Sequence, residues 1–135
     1  MADALVVKFN LKLMQLFFLV AVDIIALAIA QLLLKKGVLL LGMMDFSLVN
    51  LGNLILAVFK NFYILGGLFL MGVGFMFWLF ILSKINLNII YPISSSLTLV
   101  AVIIGSFLLF KENLGLLHVV GTAFIVLGIF LILHR

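Results

Sequence analysis

Four stretches of this chain are apolar almost without interruption, and short polar clusters separate them. They cover residues 13–34, 62–82, 89–110 and 116–133. About 20 apolar residues suffice for a helix to cross the hydrocarbon core of a bilayer. The runs are continuous rather than alternating, which predicts helices and not the strands of a barrel. The expected fold is therefore an all-α integral membrane protein with four transmembrane helices, forming one domain over residues 1–135. Residues 1–12 form a short amphipathic lead carrying Asp3, Lys8 and Lys12. The apolar run behind it is too long for the core of a signal peptide. Between the first two spans, residues 48–59 are apolar but too short to span alone. Asn50, Asn53, Lys60 and Asn61 fall on one side at helical spacing. This predicts a short interfacial helix; the alternative is the start of a long, tilted second span. The polar link at residues 83–88, SKINLN, makes the second and third spans antiparallel neighbours. Residues 111–115 form another short turn.

Composition sharpens this picture. The chain is 68% hydrophobic and 9% charged; a soluble domain of 135 residues has no interior large enough to hide so much apolar surface. There is no cysteine, hence no disulfide frame and no thiolate metal site or nucleophile. The net charge of +4 is dispersed and makes no patch for nucleic acid. His118 and His134 lie at membrane surfaces without a second ligand at metal-binding spacing, so no metal and no cofactor is expected. With four spans, Lys8, Lys12, Lys84 and Arg135 share one side of the membrane, and Lys35, Lys36, Lys60 and Lys111 share the other. This even split gives no orientation signal. Either the protein inserts both ways and pairs as an antiparallel homodimer, or a partner or local signal orients it.

Candidate chemistry sits on a few polar residues inside the spans. Asp23 is the only acidic residue deep in any of them. Facing lipid it would cost roughly 2.5–3.5 kcal/mol, so it must face protein or water. It is either a proton- or cation-binding carboxylate or a structural carboxyl kept neutral or paired within the bundle. Gln31 lies two turns on, roughly 80° round the helix, and lines the same cavity or bonds a neighbouring helix. The third span has Pro92 in its first turn, where a missing N–H costs little. Ser94, Thr98, Ala101 and Gly105 then place small or hydroxyl side chains on one face. For Ala101 and Gly105 the reading is close helix packing; for Tyr91, Ser94 and Thr98 it is a substrate cavity. Gly66, Gly67, Gly72 and Gly74 narrow the second span, and Trp78 is an interfacial anchor or a substrate contact. Gly121 and Gly128, one heptad apart, mark a packing edge or dimer seam on the last span. Lys35 and Lys36 hold a phosphate as point charges, or simply snorkel to the interface.

Several of these residues fall in a recognisable order. Trp78-Leu79, Leu82, Ile89-Ile90-Tyr91-Pro92 and Ser94 resemble the W-L-x-x-L…I-x-Y-P-x-x-S pattern of EamA-type members of the drug/metabolite transporter superfamily. Phe110-Lys111-Glu112-Asn113-Leu114 resembles that family's F-x-E-x-L turn, and Gly121, Ile125 and Gly128 its last-span G-x-x-x-I-x-x-G. Ala30-Gln31-Leu32 with Lys35 resembles the G-Q-L…K segment of four-span aminoarabinose-lipid flippase subunits. The resemblance runs from about residue 30 to the end. It implies a four-helix protomer in the cytoplasmic (inner) membrane that pairs with itself or a close paralogue to enclose a pathway. It also implies transport of an undecaprenyl-phosphate-linked sugar. More distant cousins, the small multidrug resistance exporters, exchange protons for aromatic cations through a first-span glutamate. Counting back from Lys35 puts that position at Leu27, with Asp23 one turn away. Asn86 and Asn88 also depart from the flippase pattern between the second and third spans.

Three functions follow as expectations. The first is a dimeric, flippase-like transporter of a polyprenyl-phosphate-linked sugar or similar amphiphilic anion, bound by Gln31, Lys35, Trp78, Tyr91, Ser94 and Thr98. The second is a proton-coupled exporter of small cationic drugs or metabolites through Asp23. The third is a non-transporting accessory membrane subunit. No serine–histidine–aspartate set or carboxylate pair points to an enzyme.

Overall fold

The computed structural model describes residues 2–42 and 51–134, and these are helical apart from short links. The helices are α1 (Ala2–Leu41), α2 (Leu51–Lys60), α3 (Phe62–Leu82), α4 (Leu87–Phe110) and α5 (Leu116–Leu133). Three are long and apolar enough to cross a membrane, over Met14–Leu41, Phe62–Leu82 and Leu87–Phe110. A fourth apolar segment, Leu116–Ile132, is shorter. The start of the expected interfacial helix, residues 48–50, lies outside the described residues. Its remainder is α2, ten residues long. At 1.5 Å per residue that is about 15 Å, half the thickness of the hydrocarbon core.

Three boundaries differ from the sequence expectation; at the first, α1 opens at Ala2 and runs unbroken through the lead into the first span. α1 does not stop before Lys35-Lys36 but continues to Leu41. Lysine is a good helix former and its stem can lie along an apolar surface. The helix ends only at Gly42, whose φ of 79° is left-handed and suits glycine. At the third, α4 begins at Leu87, where Ile89 and Ile90 N–H groups donate to the Asn86 carbonyl. Pro92 therefore stands in the second turn, not the first, and leaves the carbonyl of Asn88 without its usual helical donor. α3 begins where expected, because the side chain of Asn61 accepts from the N–H groups of Tyr63 and Ile64.

The core is a seam between α1 and antiparallel α3. Asp23, Ala30 and Gly37, each one heptad apart on α1, face α3. On α3 they meet Gly74, Gly67 and Ile64 in that order. A Cβ added to Gly67 would lie 2.9 Å from the carbonyl oxygen of Ala30 and 2.8 Å from Leu34. One added to Gly37 would lie 2.4 Å from Ile64. The Asn61 amide, 2.9 Å from the Gly37 carbonyl, ties the two helices at that end. α4 runs parallel to α1 on another side, with Gly105 set against Leu32; a Cβ there would come within 2.5 Å. α5 lies against α4, and α2 against α3.

α3 and α4 follow one another through a short link, yet they make little direct helix-to-helix packing. α1 sits against both and holds them apart. Most remaining surface is apolar: Phe17, Phe62, Phe69 and Leu131 are all largely exposed. In lipid such surface needs no protein cover.

The seam yields a paired prediction. Gly67→Ala should destabilise the protein by about 1–3 kcal/mol, because its methyl meets backbone as well as a side chain. Gly72→Ala meets nothing within 4 Å. It should be neutral or stabilise by up to about 1 kcal/mol through helix propensity. Thermal unfolding of both variants in the same detergent checks this; equal losses would contradict the glycine seam.

Candidate functional site

A cavity of about 660 Å³ lies in the cleft between α3 and α4, with α1 as its floor. α1 contributes Leu27 and Gln31; α3 contributes Met71, Gly74, Phe75 and Trp78. α4 contributes Tyr91, Ser94, Ser95, Thr98, Leu99, Val102 and Ile103. The α4 wall from Tyr91 to Ile103 rises about 18 Å. Gln31, Phe75, Tyr91 and Leu99 are also exposed, so the cleft is open along its side rather than sealed.

The walls are mainly apolar with a polar strip on α4. Tyr91, Ser94 and Thr98 recur at spacings of three and four, which places them on one helix face. Ser94 and Thr98 are buried. Thr98 Oγ1 has no hydrogen-bond partner among the described residues. The Ser95 hydroxyl instead donates to the Tyr91 carbonyl, 2.7 Å away, and is spent on its own helix. Near the α3–α4 link, the rings of Trp78 and Tyr91 meet edge to face, 6.2 Å apart at 63°. That pair joins the two helices near their link.

Asp23 lies under the α3 wall. It is fully buried, and among the described residues neither carboxylate oxygen has a hydrogen-bond partner. A Cβ on Gly74 would stand 3.4 Å from its Oδ1. Asp23 thus lies against Gly74, which lines the cavity together with Leu27. Such an unsatisfied buried group is costly and calls for a reason beyond packing.

Of the expected substrate residues, Gln31, Trp78, Tyr91, Ser94 and Thr98 share this cavity, and Lys35 does not line it. Lys35 pairs with Glu112 in the α4–α5 link. The other carboxylate oxygen of Glu112 accepts from the Ser106 hydroxyl. The ammonium of Lys36 lies 4.5 Å from the ring centroid of Tyr63. Gly105 packs on Leu32, whereas Gly121 and Gly128 have nothing within 4 Å. The bond network around Glu112 was missed in the sequence; its signal was a lone glutamate just beyond a span, without a visible partner. The place of Gly74 against Asp23 was missed too, since four glycines on one helix do not reveal which of them faces α1.

No family model and no solved structure matches the chain. The probable 4-amino-4-deoxy-L-arabinose-phosphoundecaprenol flippase subunit ArnF of Serratia proteamaculans (strain 568) is 33% identical over 116 residues, covering 83% of this chain and 87% of that protein. The chain belongs to the ArnE/ArnF flippase-subunit family. Similar too are the proteins named as probable ArnE subunits of the same flippase in Proteus mirabilis (strain HI4320), 39% identical over 70 residues, and in Photorhabdus laumondii, 36% over 69. Those alignments cover 52% and 51% of this chain, and 61% and 60% of the ArnE proteins. The chain thus spans about three fifths of the ArnE relatives it matches. Membership of the ArnE/ArnF family and the apolar helices together make this a multi-pass membrane protein.

The orphaned carboxyl leads to a stability prediction. Asp23→Asn removes no hydrogen bond and keeps the volume, so it should leave stability within about 1 kcal/mol or raise it. A loss above about 3 kcal/mol in thermal or denaturant unfolding would mean that Asp23 holds a partner.

Proposed function

We propose that the chain is one protomer of a transporter that moves a polyprenyl-phosphate-linked sugar, or a similar amphiphilic anion, across the cytoplasmic (inner) membrane. The observation that carries this reading is the side-open cleft with a polar strip, in a chain of the flippase-subunit family. A lipid-linked substrate needs a polar groove for its head and lateral access for its tail. Gln31, Ser94, Thr98 and Tyr91 supply donors and acceptors for sugar hydroxyls, while Leu99, Val102 and Ile103 offer an apolar flank. The tail then stays in the bilayer. No bond of the substrate is made or broken, so the activity is transport rather than catalysis.

In this reading α5 crosses the membrane as a fourth span and α2 lies along its surface. Two protomers, identical or closely related, face each other to complete the pathway. Gly121 and Gly128 give α5 a free, small-residue edge for that contact.

A second reading draws on Asp23, buried and unpartnered beside the cavity. There the carboxyl alternates between a proton and a cationic substrate, and Asp23→Asn abolishes exchange.

Vesicles containing the protein and a labelled polyprenyl-phosphate-linked sugar separate the two. Gln31→Leu and Thr98→Val should each slow sugar-lipid movement about ten-fold or more, since a site built to bond hydroxyls discriminates strongly once its partner is gone. Asp23→Asn should leave that movement in place. Unchanged rates in Gln31→Leu and Thr98→Val, with transport lost in Asp23→Asn, would transfer the function to the second reading.

A further inference from the structure

A second polar site lies beyond the cavity, at the end of the bundle where α1 and α4 finish. Its parts are the Lys35 ammonium, the Ser106 hydroxyl and, between them, the carboxylate of Glu112. The ammonium also lies 5.6 Å from the Phe110 ring centroid, within the range of a cation–π contact. Ser106 is buried on α4, while the Lys35 and Glu112 side chains are 41% and 43% exposed. The site thus has a protein floor and an open side.

The anion and its holders differ in how they are mounted. Lys35 and Ser106 belong to long helices locked together by Leu32 and Gly105. Glu112 belongs to the non-helical link at residues 111–115. It follows Lys111, which has φ 53° and ψ 36°. A left-handed conformation is disfavoured for a residue that bears a Cβ. This left-handed residue ends α4 and turns the chain so that Glu112 meets Lys35 and Ser106. Glu112 is thus mounted on a non-helical link, whereas Lys35 and Ser106 are mounted on helices.

We infer that Lys35 and Ser106 form an oxyanion site in which Glu112 is the resident occupant, and that a phosphate group exchanges with it. This rests on the phosphate-linked substrate proposed above. A phosphate offers the same acceptor oxygens as a carboxylate, and lysine binds it as a point charge. Its place relative to the cavity suits one ligand. Gln31 and Lys35 are one turn apart on the same face of α1, about 6 Å along the axis. A sugar at Gln31 would carry its phosphate toward Lys35. Exchange also has a mechanical effect, because Glu112 ties the α4–α5 link to α1. Phosphate binding releases that tie at the start of α5.

The test is native mass spectrometry of the full chain released in mild detergent, titrated separately with undecaprenyl phosphate, phosphatidylglycerol and inorganic phosphate. Glu112→Gln removes the competing charge and should tighten undecaprenyl phosphate about five- to ten-fold, a change of roughly 1–1.4 kcal/mol. Lys35→Gln should weaken it at least ten-fold, and Lys35→Gln/Glu112→Gln should bind no better than Lys35→Gln. Ser106→Ala, which keeps the ion pair, should weaken it several-fold and serves if Glu112→Gln does not fold. Equal affinity of wild type and folded Glu112→Gln, or an unchanged Ser106→Ala where Glu112→Gln fails to fold, overturns the exchange. The same variant pattern obtained only with phosphatidylglycerol or inorganic phosphate supports the oxyanion site but overturns its lipid-linked substrate. If Gln31→Leu stops sugar-lipid movement while none of the three probes distinguishes the Lys35 and Glu112 variants, the transport reading stands and the oxyanion site falls.

Discussion

The close approach of α1 and α3 is the constraint from which the rest of the arrangement follows. In a bilayer the lipid tails are as apolar as leucine, so burying leucine drives little association. Contact distance has to do the work instead. Gly67 lets the α3 backbone reach the Ala30 carbonyl, Gly37 admits Ile64, and Gly74 admits Leu27 and Asp23. With α1 committed to α3 along this seam and to α4 at Leu32 and Gly105, α3 and α4 are spread apart. Their cleft is thus a consequence of where the glycines lie on three helices. Filling the seam would move α1 outward and alter the floor of the cavity, although most cavity residues belong to α3 and α4.

The same seam carries the molecule's least settled group. Asp23 occupies the heptad position that Ala30 and Gly37 occupy further along α1, where an apolar or absent side chain would pack without cost. Instead there is a carboxyl with no donor, set against the one cavity-lining glycine. Thr98, across the cleft on α4, also has an unpartnered buried oxygen. The unsatisfied acceptors among the described buried side chains are therefore confined to these two residues. Both lie on or just behind the cavity wall. A purely structural polar group would ordinarily be bonded, and such bonds do exist elsewhere here, at Asn61, Ser95 and Ser106.

Much of the helical layout was legible because continuous apolar runs leave little else possible in a membrane. The runs at residues 62–82 and 116–133 coincide with α3 and α5, each opened by a residue that interrupts the pattern, Asn61 and Gly115. The end of α1 was misread because a lysine pair marks a membrane surface, not a helix terminus. The start of α4 was misread because Pro92 suggested a first turn, whereas Asn86 supplies the cap position. The polar face of α4 could be read from spacing alone, and its residues do converge with Gln31 and Trp78. Lys35 could not be placed that way. Its partner is 77 residues away in the chain and is presented by a left-handed lysine, a conformation that no local sequence signal announces.

The two ends of α4 make different demands on a substrate. At the start, Trp78 and Tyr91 meet edge to face across the cleft and close it with an aromatic pair that has a polar tip on each ring system. At the finish, Glu112 already neutralises Lys35, so an arriving anion finds its cation occupied. An unpaired lysine at this position would hold any anionic headgroup from the surrounding bilayer. A paired one holds an anion more weakly, and a ligand that also bonds Gln31, Ser94 and Thr98 through a sugar competes better than a bare phosphate. In the proposed transport, a head group bearing both sugar and phosphate is selected by joint occupancy of the Gln31 and Lys35 positions, one turn apart on α1. Neither site has to be tight by itself, and weak individual binding is what allows a transported molecule to leave.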